Sequence, residues 1–187
     1  TDIALSATAI AESAASGSTV ATITVTDPDT GDDGGADYVA ADVALSGTDA
    51  ASFVDADSGS NILLKTATTL NFESKASYLI TLTVDDADDS SLNYVESFTI
   101  TITDVDEAPT DIALSASAVN ENVAIGTTVA TVTVSDPDAG DDTGGDYVAA
   151  DTAITGTDGG DFSVADSGGS ILLKMAVVPD FETDASL

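Results

Sequence analysis

Residues Thr19–Asp29 read TVATITVTDPD, and Thr128–Asp138 read TVATVTVSDPD. Ala21, Ile23 and Val25 alternate with Thr22 and Thr24, the period of two that turns one side of a strand to a core and the other to water. Threonine suits the wet side, being β-branched and polar. Ile80, Leu82 and Val84 alternate in the same way with Thr81 and Thr83, as do Phe98, Ile100 and Ile102 with Thr99, Thr101 and Thr103. No segment has a comparable helical period. Each opening segment then ends on two carboxylates flanking a proline.

The match between the two segments is part of a longer duplication. The chain from Thr1 returns from Thr110 without a gap, at an offset of 109 residues, as from Thr19 to Thr128. That period is a whole domain, too long for a solenoid unit. The domains are expected at 1–106 and 107–187. In the complete copy we read about seven strands, near residues 2–12, 18–27, 36–46, 51–56, 60–66, 77–85 and 95–104. DAASF (Asp49–Phe53) reads as a helical turn. This pattern predicts an all-β fold, a tandem of immunoglobulin-like Greek-key β-sandwiches.

The second copy ends at Leu187, the counterpart of Tyr78, so the equivalents of 79–109 are absent. Repeat 2 is therefore expected to lack its last two strands. As given, it would show an apolar sheet face and an unpaired edge, a template for a strand from another chain. The chain starts directly in a strand pattern, without the basic and apolar regions of a signal peptide, and reads as a piece of a longer protein.

Composition bounds the chemistry. The 187 residues hold 34 acidic and 3 basic side chains, a net charge of −31. Such a surface repels phosphate and anionic lipid, which argues against nucleic-acid or acidic-membrane partners and favours cations. With 43% hydrophobic residues the chain has apolar surface to bury and should fold. No run approaches the roughly 20 apolar residues of a membrane span. There is no cysteine and no histidine, which removes disulfides, thiol chemistry and the usual general base. A carboxylate-pair glycosidase is the remaining catalytic option, and without tryptophan the chain has little to build a sugar platform. An enzyme is not expected, and the tyrosines and phenylalanines read as core.

The carboxylates cluster at strand ends. DVDEAP (Asp104–Pro109) carries Asp104, Asp106 and Glu107. The Asp-Pro-Asp pairs are Asp27 with Asp29 and Asp136 with Asp138. A glutamate stands early in each copy, Glu12 in AES and Glu121 in NEN, and NFE (Asn71, Glu73) returns as DFE (Asp180, Glu182). Like charges 4 Å apart repel by about 4 kcal/mol at an effective dielectric of 20, so such clusters call for a counter-ion. Calcium takes six to eight oxygen ligands, mostly carboxylate and carbonyl, at about 2.3–2.6 Å, and suits them.

These four elements, in this order and spacing, resemble the calcium motifs of cadherin repeats, and most closely the cadherin-like repeats of large bacterial surface adhesins. The resemblance spans essentially the whole chain. It implies sandwiches joined end to end, with Ca2+ held at each junction by residues of both repeats and the linker. By position, Glu12 and Glu73 would come from repeat 1, Asp104, Asp106 and Glu107 from the linker, and Asp136 and Asp138 from repeat 2. Asp86, in VDDAD, would act with Asp27 and Asp29 towards a preceding repeat, and Glu121, Asp180 and Glu182 towards a following one.

The linker departs from the usual cadherin pattern at Ala108, where a ligand is lost, and Asn71 stands where the family has aspartate. Asp111 belongs to no motif. Asp32, Asp33, Asp37, Asp42 and their copies read as solvated loop acids, with an extra calcium site as the alternative.

The resemblance implies a calcium-stiffened extracellular spacer on a bacterial cell surface, partnered by calcium and by neighbouring repeats. The alternative is a module that itself recognises a carbohydrate, a cell-surface ligand or another copy of the protein, for example by strand donation into repeat 2.

Overall fold

The computed structural model describes residues 2–26, 38–85, 93–138 and 147–182, which fall into two compact units, Thr1–Val105 and Asp106–Leu187.

In the first unit the described strands are β1 (Asp2–Leu5), β2 (Ala9–Ala11), β3 (Thr19–Thr26), β4 (Val43–Ser46), β5 (Phe53–Ser58), β6 (Asn61–Thr66), β7 (Ser77–Asp85) and β8 (Asn93–Thr103). They form two four-stranded sheets, ordered β1-β3-β6-β5 and β2-β8-β7-β4. The β2–β8 pair is parallel and the others are antiparallel. The turn in DAASF is a 3-10 helix, Ala50–Ser52.

The alternation predicts the core. Ile80, Leu82 and Val84 of β7 and Ile100 and Ile102 of β8 are buried against Ile3, Val20, Ala21, Ile23, Ile62 and Leu64 of the facing sheet. On β3, two successive residues, Val20 and Ala21, are buried because the register with β6 shifts between Thr19 and Ala21. A β-bulge of this kind sets an extra residue on the core side. Unit 2 repeats the shift between Thr128 and Ala130.

Two expectations are corrected. Of the strand expected near 36–46, only Val43–Ser46 is a strand among the described residues, because the Val39 and Ala40 N–H groups bond to the Asp42 and Asp57 carboxylates and Ala40–Asp42 closes as a 3-10 turn. Residues 2–12 are two strands, not one, because this segment changes sheets. Ser6 closes the pairing of β1 with β3, donating its N–H to the Thr22 carbonyl at 3.0 Å and accepting the Thr22 N–H on Oγ at 2.8 Å. The Thr8 carbonyl then accepts from Thr101 N–H at 2.8 Å and opens the pairing of β2 with β8. The switch delivers Glu12 beside the end of β8.

In the second unit β9 (Asp111–Leu114), β10 (Thr128–Ser135), β11 (Phe162–Ser167) and β12 (Ser170–Met175) form one antiparallel sheet in the order β11-β12-β10-β9. The motif Asp-Ile-Ala-Leu starts both units but meets different surroundings. Ile3 is 2% exposed, whereas Ile112 is 64% exposed, because no second sheet covers β9 among the described residues.

Candidate metal centre

Three chain segments of unit 1 bring their acids together. Glu12 follows β2 and still donates its N–H to the Thr103 carbonyl at 3.2 Å. Asp104 follows β8 directly, and Glu73 lies in the turn after buried Leu70. One carboxylate oxygen from each of Glu12, Glu73 and Asp104 lies within 4.8 Å of the others. Two oxygens bound to a common ion at about 2.4 Å can be no more than about 4.8 Å apart, so the group fits one calcium.

The protein backbone orients these acids. Glu12 is only 6% exposed, and its Oε2 accepts the Phe72 N–H at 2.8 Å while its Oε1 accepts the Val105 N–H at 2.8 Å. The Phe72 N–H above all, with that of Val105, holds the Glu12 carboxyl below the ordinary range, against burial, which raises it. The group is therefore ionised at neutral pH. Asn71 Nδ2 donates to Glu73 Oε2 at 2.8 Å, and Asn71 Oδ1 accepts the Ser74 N–H at 2.7 Å. Asparagine at this position braces Glu73.

Unit 2 carries the counterpart. Oxygens of Glu121, Asp180 and Glu182 again lie within 4.8 Å of one another, on exposed residues. Glu121 Oε2 accepts the Phe181 N–H at 3.4 Å, and Asp180 Oδ1 accepts the Glu182 N–H at 3.1 Å.

The Asp-Pro-Asp motif of unit 2 is built differently. Asp138 donates its N–H to Asp136 Oδ1 at 3.0 Å, and Asp138 Oδ2 accepts the Glu107 N–H at 2.5 Å. Asp138 is 5% exposed, and its Oδ1 is buried with no hydrogen-bond partner among the described residues. A buried acceptor left unmatched is costly, and a cation is the natural complement of a carboxylate oxygen. Asp136 and Asp106 are not gathered into groups of three acids among the described residues. Asp27, Asp29 and Asp86 lie outside the described residues, as do Asp32, Asp33 and Asp37.

Some roles were not visible as motifs. Asp42 Oδ2 accepts the Val39 N–H at 2.9 Å and Asp57 Oδ1 the Ala40 N–H at 2.7 Å, and Asp151 and Asp166 do the same for Val148 and Ala149 at 3.1 and 2.8 Å. These acids fasten a turn. Tyr147, expected in the core, donates its hydroxyl to Asp136 Oδ2.

A family model for the cadherin domain matches residues 6–109. Protocadherin-18 of Bos taurus is 32% identical over 99 residues, 52% of this chain and 9% of that protein, and its Homo sapiens counterpart is 31% identical over 99 residues with the same shares. The chain thus spans under a tenth of the length of these relatives. Among solved structures, the protocadherin gammaB4 extracellular domain is similar at 22% identity and a TM-score of 0.60, covering 98% of this chain and 28% of that one. Human protocadherin-24 EC1-2 is similar at 18% identity and a TM-score of 0.62, covering 92% and 74%. The chain belongs to the cadherin family and has the all-β sandwich fold.

Proposed function

We propose that the chain is a pair of calcium-stiffened repeats from a large cell-surface adhesin, and that it serves as a spacer rather than an enzyme. The observation that carries this reading is the group Glu12, Glu73 and Asp104, three carboxylates from distant segments within 4.8 Å. Asp104 is followed by Val105, the last residue of unit 1, and then by Asp106 and Glu107 of unit 2. Calcium drawn to these acids would hold the connection between the repeats. Without it their mutual repulsion opposes a fixed connection, the logic by which metal binding couples to folding. Pro109 limits rotation further. The motif resemblance supports a bacterial surface as the location.

Small-angle scattering tests this. Calcium should narrow the distribution of sizes to that of one extended species, and a chelator should broaden it again. Identical profiles in both conditions would sink the spacer reading.

A second reading, recognition of a ligand or another copy of the chain, is favoured by one observation. β9 is an edge strand of its sheet. An added strand could pair there. This reading requires a saturable partner whose binding is lost when β9 carries a proline at Ala113.

A further inference from the structure

We infer that Tyr147 is a positioning residue for the Asp136–Asp138 cation site, an inference that rests on the calcium reading above. The segment DYVAAD occurs at 37–42 and again at 146–151, and nothing in the calcium motifs uses it. In unit 2 its tyrosine is partly buried, and the hydroxyl donates to Asp136 Oδ2 across 11 residues of chain. Phenylalanine would fill the same core volume without that bond.

The hydroxyl is held on a braced support. Directly after Tyr147, the Val148 N–H donates to Asp151 Oδ2 at 3.1 Å, and the Ala149 N–H donates to Asp166 Oδ1 on β11 at 2.8 Å. The 3-10 turn Ala149–Asp151 is thereby fastened to the sheet. On the other side, Asp136 Oδ1 accepts the Asp138 N–H at 3.0 Å. Each oxygen of Asp136 thus has one fixed donor and keeps one lone pair for a cation. Rotation of the carboxylate would break one bond or the other. The backbone link carries the constraint to Asp138, whose buried Oδ1 has no hydrogen-bond partner among the described residues. Groups that orient metal ligands in this way typically govern affinity by 10- to 100-fold.

The test is a calcium titration of the whole chain as wild type, Tyr147→Phe, Asp136→Asn and the double variant, with tyrosine difference absorbance recorded at each step. Tyr147→Phe should weaken the affected binding about tenfold, at the lower end of that range. It should add nothing in the Asp136→Asn background, since both changes break one link. The calcium-induced tyrosine signal should fall by the Tyr147 contribution with Tyr147→Phe, the remainder being that of the other three tyrosines. Wild-type binding with Tyr147→Phe unchanged would overturn the inference and leave the calcium reading intact. A Tyr147→Phe loss that persists in full beside Asp136→Asn would also overturn it, since the tyrosine would then act through the fold at large. Absence of wild-type binding would overturn both.

Discussion

The Glu12 carboxylate accepts the backbone N–H of Phe72 at 2.8 Å across 60 residues of chain, and its other oxygen accepts the N–H of Val105. One side chain thus ties the end of β2, the turn after Leu70 and the exit from β8. It has a structural role and, on the calcium reading, a ligand role, and two substitutions separate them.

Glu12→Gln keeps an acceptor oxygen but removes the charge, whereas Glu12→Ala removes both. In chelator, Glu12→Gln should melt below wild type, because glutamine keeps one acceptor for the Phe72 and Val105 N–H groups where the carboxylate has two, and Glu12→Ala lower still, because both N–H groups lose their acceptor. Both should weaken calcium binding by about tenfold or more. Thermal melts and titrations of the two variants check this.

The pair of Asp-Ile-Ala-Leu segments gives an internal control on packing. Ile3→Ala opens the buried core of unit 1 and should cost about 2–5 kcal/mol. Ile112→Ala, at a site 64% exposed, should change stability by no more than about 0.5 kcal/mol. Urea unfolding of each variant provides the comparison.

Gly47 has φ 103°, and a Cβ there would stand 3.2 Å from the Thr81 nitrogen and 3.3 Å from the Leu79 carbonyl oxygen. Gly47→Ala meets both a left-handed backbone and a neighbouring strand's main chain. It should destabilise unit 1 by more than about 1 kcal/mol, read from the shift in the urea midpoint.

Acid should loosen the same corner. The side chain of Lys75, then the Leu79 N–H, hold the Asp49 carboxyl below its ordinary 3.8, against burial. A depressed carboxyl contributes stability that is fully present above its unfolded value and is lost as pH falls through its folded one. The contribution of Asp49 to stability in chelator should therefore be lost as pH drops below about 4. The difference in melting temperature between wild type and Asp49→Asn should shrink over that range, which a pH series of thermal melts of both would detect.

Most of the unit 1 fold was legible because its strands alternate cleanly. Thr81 and Thr83 mark the outer face of β7 as surely as Ile80, Leu82 and Val84 mark the inner one. The sheet switch at Ser6–Thr8 was not legible, since alternation reports which face is buried and not which sheet supplies the partner. Among the site residues, the structure brings Glu12, Glu73 and Asp104 within 4.8 Å of one another. The braces were hidden for a different reason. The contacts of Glu12 with Phe72 and Val105 run to backbone N–H groups, which carry no sequence signature. Tyr147 in turn resembles a core aromatic until its hydroxyl is placed on Asp136.

The central claim is that calcium complements these carboxylates, and isothermal titration of the whole chain with calcium measures it directly. The account predicts saturable binding that chelator reverses, weakened by Glu12→Gln, with a melting temperature that rises as the sites fill. A flat titration at millimolar calcium, with the same melting temperature in calcium and in chelator, would contradict it.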